Sequence, residues 1–503
     1  MKKLVLAILI AAVQQHLFAQ KLASRIDSMF GQKNYFNGCI LVADHGKIIY
    51  HKAFGYADVM AGKSLDTNAQ FQTASVSKVF TSAAILQLVE RKKLKLNDPV
   101  KRYLNEFPYP EITIRHLLTH TSGLPDVEIY DTLLGSDQER IIKNTDLIPA
   151  LQLSKKPLHF IPGTKFDYCN TGYQLLALLV EKISGRTFSD YLQRNIFKPA
   201  HMYHSYLRAG LQELPVKNQT IWPMYTVVPR DVDSIAAERK QPFEKQLYYD
   251  THTMGATYGD QNIISTTGDM LRFEKALISG KLFNRSLLNE AIAPLTLNDG
   301  RCYTENNQAL GGDGSAYGFG WETHIAGNDT IIGHSGYNRG IYVQYYIDLR
   351  NDRTIILFDN TEGASFLQKF LNVLCVLKGQ PVKKVDLRSS AVRLYGHDLL
   401  TGNSEMALIH LNKMRLDTAN YRFTPQQMNQ LGYDFMRSGL IDKAMETFKI
   451  NLLLFPQDFN RYDSYGDALL AAGKKADALA MYQQALSLNP GAIEIRKKIN
   501  RLR

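Results

Sequence analysis

Ser75 and Lys78 stand three residues apart at the entrance of the apolar run Val79–Val89, within a chain of 503 residues. Residues three apart share a helix face, so the lysine amine lies beside the serine hydroxyl. The helix start adds unpaired backbone N–H groups and a partial positive charge, which favour negative charge developing nearby. A serine hydroxyl is a weak nucleophile until a neighbouring base takes its proton, and a desolvated lysine amine is such a base. Alone, the pair also describes a helix start followed by a surface lysine.

Two further strings give the pair partners. Tyr168-Cys169-Asn170 enters a second apolar helix through Val180, and His334-Ser335-Gly336 precedes a β-rich stretch. A phenol, with a pKa near 10, serves as a base only where a cation stabilises its phenolate, and Lys78 is such a cation. In this order, Ser-x-x-Lys, Tyr-x-Asn and His-x-Gly resemble the three signature elements of the penicillin-recognising serine hydrolases. The tyrosine form of the second element is similar to the branch of class C β-lactamases, DD-peptidases, esterases and aminopeptidases. Three more segments are similar to stretches expected there: Ile114–Leu124, Ile264–Met270 and Tyr317–Trp321. Together these cover roughly residues 30 to 360.

The resemblance implies roles. Ser75 is the nucleophile, and Lys78 and Tyr168 form the proton-handling pair, with the identity of the base left open. On the substrate side stand Asn170, which hydrogen-bonds Lys78 or a substrate amide, and His334, Gly336 and Tyr337. His334 occupies a place where many relatives carry lysine, which weakens any expectation of β-lactam carboxylate binding. Backbone N–H groups of Ser75 and Tyr337 would form the oxyanion hole. His116 and His120 belong to a segment read as structural. Asp126 and Tyr130 are read as rimming the cleft, Arg339 as solvent-exposed or meeting a substrate carboxylate, and Gly259-Asp260 as a departure from a simpler glycine pair.

The elements that must position these residues are legible in outline. Ile40, Val42, Ile48 and Ile49 flank Asp44-His45-Gly46, a hairpin signal, and a second hairpin joins Ile341–Asp348 to Thr354–Asp359. Strands at both ends with helices between predict an α+β layering in which early and late strands share one antiparallel sheet. The resemblance implies the same fold: a β-lactamase/transpeptidase-like antiparallel sheet flanked by helices, plus a helical subdomain. This domain is assigned to residues 20–385.

Residues 386–503 change character to helical periodicity and read as a linker followed by an all-α helical-repeat segment. Gly432 and Gly466, Gly439 and Gly473, Ala444 and Ala478, Phe448 and Tyr482, and Pro456 and Pro490 all repeat at a spacing of 34. That period resembles tetratricopeptide repeats, at about 425–458 and 459–492, with 493–503 as a cap. Ser404–Met414 reads as a degenerate earlier helix. Such a segment either presents a surface to a protein or peptide partner or buttresses the hydrolase.

Lys2, Lys3, the apolar core Leu4–Val13 and the site after Ala19 read as a signal peptide over residues 1–19. Export to the periplasm or the extracellular space is expected, with no transmembrane anchor. Cys39, Cys169, Cys302 and Cys375 show neither disulfide-framework nor zinc spacing, so no metal or cofactor is expected. The net charge of +11 is dispersed, without the basic runs or interleaved aromatics of a nucleic-acid binder. The expected function is an exported serine hydrolase forming an acyl-enzyme on Ser75, acting on a D-amino-acid peptide or amide or a small acyl ester, with the cell wall as one source of such a substrate. A catalytically weak binding protein whose repeats recruit a partner is the alternative from another class, and a true β-lactamase is a third.

Overall fold

The computed structural model describes residues 20–502 except 33–34, 59–62, 137–139, 209–255, 305–313, 327–328, 339–340, 361–365 and 438. The expected signal peptide and Arg339 lie outside the described residues. Two compact units make up the described chain, divided between Val385 and Asp386.

The first unit is built on a seven-stranded antiparallel sheet. Its spatial order is Lys47–Phe54, Gly38–Asp44, Arg353–Asp359, Ile341–Asp348, Asp329–Asn338, Glu322–Ala326 and Gly314–Tyr317. Early and late strands share this sheet as expected: Gly38 faces Asp359 and Asp44 faces Arg353 in register. The first hairpin closes through His45 and Gly46, both left-handed (φ 49° and 66°), the backbone that a two-residue turn between twisted strands requires. Ile40, Leu41 and Val42 are buried together, so this strand is covered on both faces, which accounts for its unbroken apolar run.

Two helices bring the chemistry together. Ser77–Glu90 is buried from Ser77 to Leu88, the polar side chains of Lys78, Thr81, Ser82 and Gln87 included. Asn170–Ser184 ends at Gly185, left-handed at φ 68°. A short sheet of Phe71–Gln72, Ile263–Ser265 and Tyr206–Leu207 holds the approach to Ser75.

The second unit is helical: Ala391–Thr401, Ser404–Leu416, Pro425–Arg437, Ile441–Leu454, Phe459–Ala471, Lys475–Leu488 and Ile493–Leu502. The 34-residue spacing has a packing cause. A Cβ on Gly432 would meet the Phe448 ring at 2.5 Å, and one on Gly466 would meet the Tyr482 ring at 2.6 Å. Each glycine thus lets the next helix's aromatic ring lie against its backbone. Asp467 accepts hydrogen bonds from Tyr433 (2.9 Å), Tyr482 (2.7 Å) and Lys498 (2.7 Å), tying its own helix to Pro425–Arg437 and to the two helices that follow it.

Candidate active site

Ser75 sits in a single 3-10 turn, Ala74–Val76, that feeds the buried helix. Ala74 is held left-handed at φ 46° although it carries a Cβ, a conformation that surrounding structure must enforce. The restraint is visible. Thr73 N and Oγ1 both donate to the Ile263 carbonyl (2.8 and 3.0 Å), and Ile263 N donates back to Ser77 Oγ (3.2 Å). Strand Asp329–Asn338 presses on the same turn at Gly336, where a Cβ would lie 2.5 Å from the Thr73 carbonyl oxygen and 3.2 Å from Ser75 N. Gly336 is therefore needed for the close approach, and it brings the Tyr337 backbone beside the nucleophile.

Lys78 is fully buried, with Nζ 3.1 Å from Ser75 Oγ, 2.9 Å from Asn170 Oδ1 and 3.2 Å from the Asp260 carbonyl. Burial lowers its pKa to about 8, opposed by the charges of Asp260, Asp126, Cys169 and Glu322. Two of its three neighbours are carbonyl oxygens, which only accept. A neutral amine therefore spends both N–H groups on them and turns its lone pair to Ser75. The Asp260 carboxyl is itself buried, and burial raises its pKa to about 6 against the pull of Lys78. Thr81 Oγ1 donates to the Gly259 carbonyl (2.6 Å) and so fixes this loop on the helix. The Gly259-Asp260 departure thus supplies a backbone acceptor to Lys78.

The Tyr168 phenol faces Ser75, and Lys78 Nζ lies 4.8 Å from its ring centre. The residue as a whole is 37% exposed. Burial around the hydroxyl raises the phenol's pKa well above its usual value, outweighing the opposite effect of Ser75. Asn170 lies where the sequence suggested, against Lys78. What holds it is Asp126, which accepts from Asn170 Nδ2 (3.1 Å), Thr171 N (2.8 Å) and Thr171 Oγ1 (2.9 Å). A carboxylate only accepts, so Asn170 must turn its amide nitrogen to Asp126 and its oxygen to Lys78. Asp126 therefore orients the site rather than rimming it, and Tyr130 is fully buried, donating to Gln174 Oε1 (2.8 Å).

His334 is placed differently from the expectation of a substrate contact. It is 1% exposed, with Nε2 2.9 Å from Tyr317 Oη and Nδ1 2.5 Å from the Ser335 carbonyl oxygen, so both nitrogens are engaged within the protein. Burial lowers its pKa, against the nearby Glu322 carboxylate. His120, read from the sequence as part of a structural segment, lies beside the site. Its ring lies 4.2 Å from that of Tyr168, tilted 32°, while His116 only completes a helix cap with Thr113. Among the described residues no three metal-ligating side chains gather, and all four cysteines are free.

Comparison with known proteins agrees with this geometry. A sequence model of the family described as Beta-lactamase matches residues 16–377. Penicillin-binding protein 4* of Bacillus subtilis (strain 168) is 32% identical over 373 residues, 70% of this chain and 74% of its own. The D-aminopeptidase of Brucella anthropi is 26% identical over 356 residues, 70% of this chain and 62% of its own. Among solved structures, a penicillin binding protein from Bacillus halodurans aligns with a TM-score of 0.55 at 24% identity, over 70% of this chain and 97% of that one. The D-amino acid amidase from Ochrobactrum anthropi SV3 complexed with D-phenylalanine aligns with a TM-score of 0.55 at 21% identity, over 72% and 99%. At these identities the two structures speak for the fold.

Proposed function

Because the chain belongs to the beta-lactamase family and is a serine hydrolase, we propose that it cleaves amides of D-configured amino acids or peptides through an acyl-enzyme on Ser75. The amide reading draws on the D-aminopeptidase among its relatives. One observation carries the mechanism: Lys78 Nζ is surrounded by two acceptor-only carbonyls and the Ser75 hydroxyl. In this reading neutral Lys78 takes the Ser75 proton as Oγ bonds the carbonyl carbon. Backbone N–H groups of Ser75 and Tyr337 hold the oxyanion. Tyr168, kept protonated by its raised pKa, gives its proton to the departing nitrogen and recovers one from Lys78. Water then attacks the ester, with the same pair moving the proton, and the acid is released.

The enzyme, exported with residues 1–19 removed, would meet such substrates outside the cytoplasm, and among the described residues no helix is long and apolar enough to cross a membrane. We read the helices after residue 386 as tetratricopeptide-like, offering a surface to a peptide or protein partner. Intact-mass analysis after incubation with a fluorophosphonate, a penicillin, a small acyl ester and a D-Ala-D-Ala peptide tests the substrate class. Turnover of the D-peptide with a fluorophosphonate adduct is the expected pattern. Turnover of the ester alone would replace the amide reading, a transient penicillin adduct with rapid release would favour a β-lactamase, and no adduct with any probe would favour the binding-protein alternative.

A further inference from the structure

Behind Tyr168 runs a buried line of polar side chains drawn from distant parts of the chain. His120 is 1% exposed, Tyr317 4% and His334 1%. Tyr317 ends one strand and Glu322 begins the next, paired across their hairpin, while His334 lies on the neighbouring strand. The backbone N–H of Cys169 donates to His120 Nδ1 (3.0 Å), His120 Nε2 lies 3.2 Å from Tyr317 Oη, and Tyr317 Oη lies 2.9 Å from His334 Nε2. His334 Nδ1 faces the Ser335 carbonyl oxygen at 2.5 Å and Glu322 Oε1 at 3.5 Å. Glu322 is anchored in turn by Ser335 N (3.1 Å), Ser335 Oγ (2.9 Å) and Tyr346 Oη (2.5 Å).

Both ends of this line are fixed by groups that cannot change roles. An amide N–H only donates, so neutral His120 must carry its proton on Nε2 and offer it to Tyr317. A carbonyl oxygen only accepts, so His334 must carry a proton on Nδ1, leaving Nε2 to accept from the single Tyr317 O–H. The two constraints, set independently at opposite ends, agree on one direction. Four hydrogen bonds then point the same way, from the Cys169 backbone to the Ser335 carbonyl, each polarising the next, with the Glu322 carboxylate 3.5 Å from the last donor.

We infer that His120, Tyr317, His334 and Glu322 act together as positioning residues that hold Tyr168 against Ser75, with the two histidines locked in opposite tautomers. His120 supplies the contact at both levels: its ring lies along the Tyr168 ring, and its Nδ1 holds the peptide bond that follows Tyr168. None of the four touches the reacting atoms. The charged and titratable groups facing the line are Lys78, Glu322, His324 and Cys169, with the phenols of Tyr168 and Tyr173. Burial and the Lys78 charge keep His120 neutral, and burial keeps the Tyr317 proton in place.

The inference rests on the hydrolase reading for its consequence but not for its test. Nitrogen-15 NMR of histidine-labelled full-length protein at about pH 8, where ordinary histidines are neutral, reads each tautomer directly. The two signals are assigned from His120→Asn and His334→Asn. His120 should be protonated on Nε2 alone and His334 on Nδ1 alone. The reverse tautomer at either residue, or a doubly protonated His334, overturns the inference, since both states are read in the wild-type protein and the variants serve only to assign its signals. Tyr317→Phe then tests the consequence. The rate of fluorophosphonate labelling at saturation should fall about ten- to a hundredfold, the effect of a small misplacement of a reacting group, with the half-saturating concentration little changed. An unchanged labelling rate in folded Tyr317→Phe also overturns it. Wild-type protein that shows the two tautomers but never labels would instead count against the hydrolase reading alone.

Discussion

Replacing Asp126 by asparagine changes one atom and should disturb the base more than its distance from Ser75 suggests. The carboxylate accepts from Asn170 Nδ2, Thr171 N, Thr171 Oγ1 and, at 3.7 Å, the Cys169 thiol. An amide has one oxygen, so in either rotamer a donor must face a donor. The relieving motion is rotation of the Asn170 amide, which turns a nitrogen toward Lys78 in place of the oxygen now 2.9 Å away. That competes for the amine lone pair directed at Ser75. A hydrogen bond to a charged group contributes about 1.5–3 kcal/mol, and each 1.36 kcal/mol is a tenfold rate. Acylation should therefore slow about ten- to a hundredfold, and stability should fall by about 1.5–3 kcal/mol. The pH dependence should shift as well. Asp126 is among the charges that hold the Lys78 pKa up against burial. Its neutralisation moves the midpoint for forming the free amine below about 8, so the loss is largest at high pH and partly offset near neutrality. The assay is single-turnover labelling by a fluorophosphonate, followed by intact mass across pH, with thermal melts alongside. Labelling at the wild-type rate with an unmoved midpoint would refute the account of Asn170 as an oriented acceptor.

Lys78→Ala and Tyr168→Phe should each slow acylation strongly, and the double variant should lose far less than the product of the two, because they act on one proton; additive losses in single-turnover kinetics would show them uncoupled. Gly336→Ala sets a methyl 2.5 Å from the Thr73 carbonyl oxygen, so the turn bearing Ser75 must shift; labelling should drop by more than tenfold, and wild-type labelling by a folded variant would contradict the need for close approach. Protein ending at residue 385 should keep its labelling rate, since every residue assigned chemistry precedes Asn338. A folded truncation that no longer labels would give the C-terminal helices a part in the reaction.

The parts of the site visible in sequence are those whose meaning is local. Ser75 and Lys78 share a helix entrance, and Tyr168 and Asn170 share another, so spacing alone brings each pair together. The His45-Gly46 turn and the pairing of Gly432 with Phe448 likewise follow from short-range rules of turn and helix contact. The contacts of Asp126, His120, Tyr317 and Glu322 were not legible because their partners lie far along the chain: Asp126 is 44 residues from Asn170, and His120 is 197 from Tyr317. Asp260 reaches Lys78 through a backbone carbonyl, which has no residue-type signature at all. His334 was recognised by its motif, but a motif does not tell whether a side chain looks outward to a ligand or inward to Tyr317. The helix Ala391–Thr401 was missed because its apolar face became interpretable only beside Leu411, Met428 and Phe435, with which its buried residues form a core.

The central claim is that Ser75 carries the acyl group and neutral Lys78 activates it, and one measurement reaches both halves. Wild-type and Ser75→Ala protein are incubated with a fluorophosphonate between about pH 6 and 9.5, a range spanning the lowered lysine pKa and stopping short of its ordinary value. Rates are taken from intact mass, and the adduct is located by peptide mapping. A single adduct should appear on the peptide containing Ser75, absent from Ser75→Ala, at a rate rising with pH to a plateau with a midpoint near the Lys78 pKa of about 8. An adduct on another residue, labelling of Ser75→Ala within about tenfold of wild type, or a rate flat through that range would contradict the account.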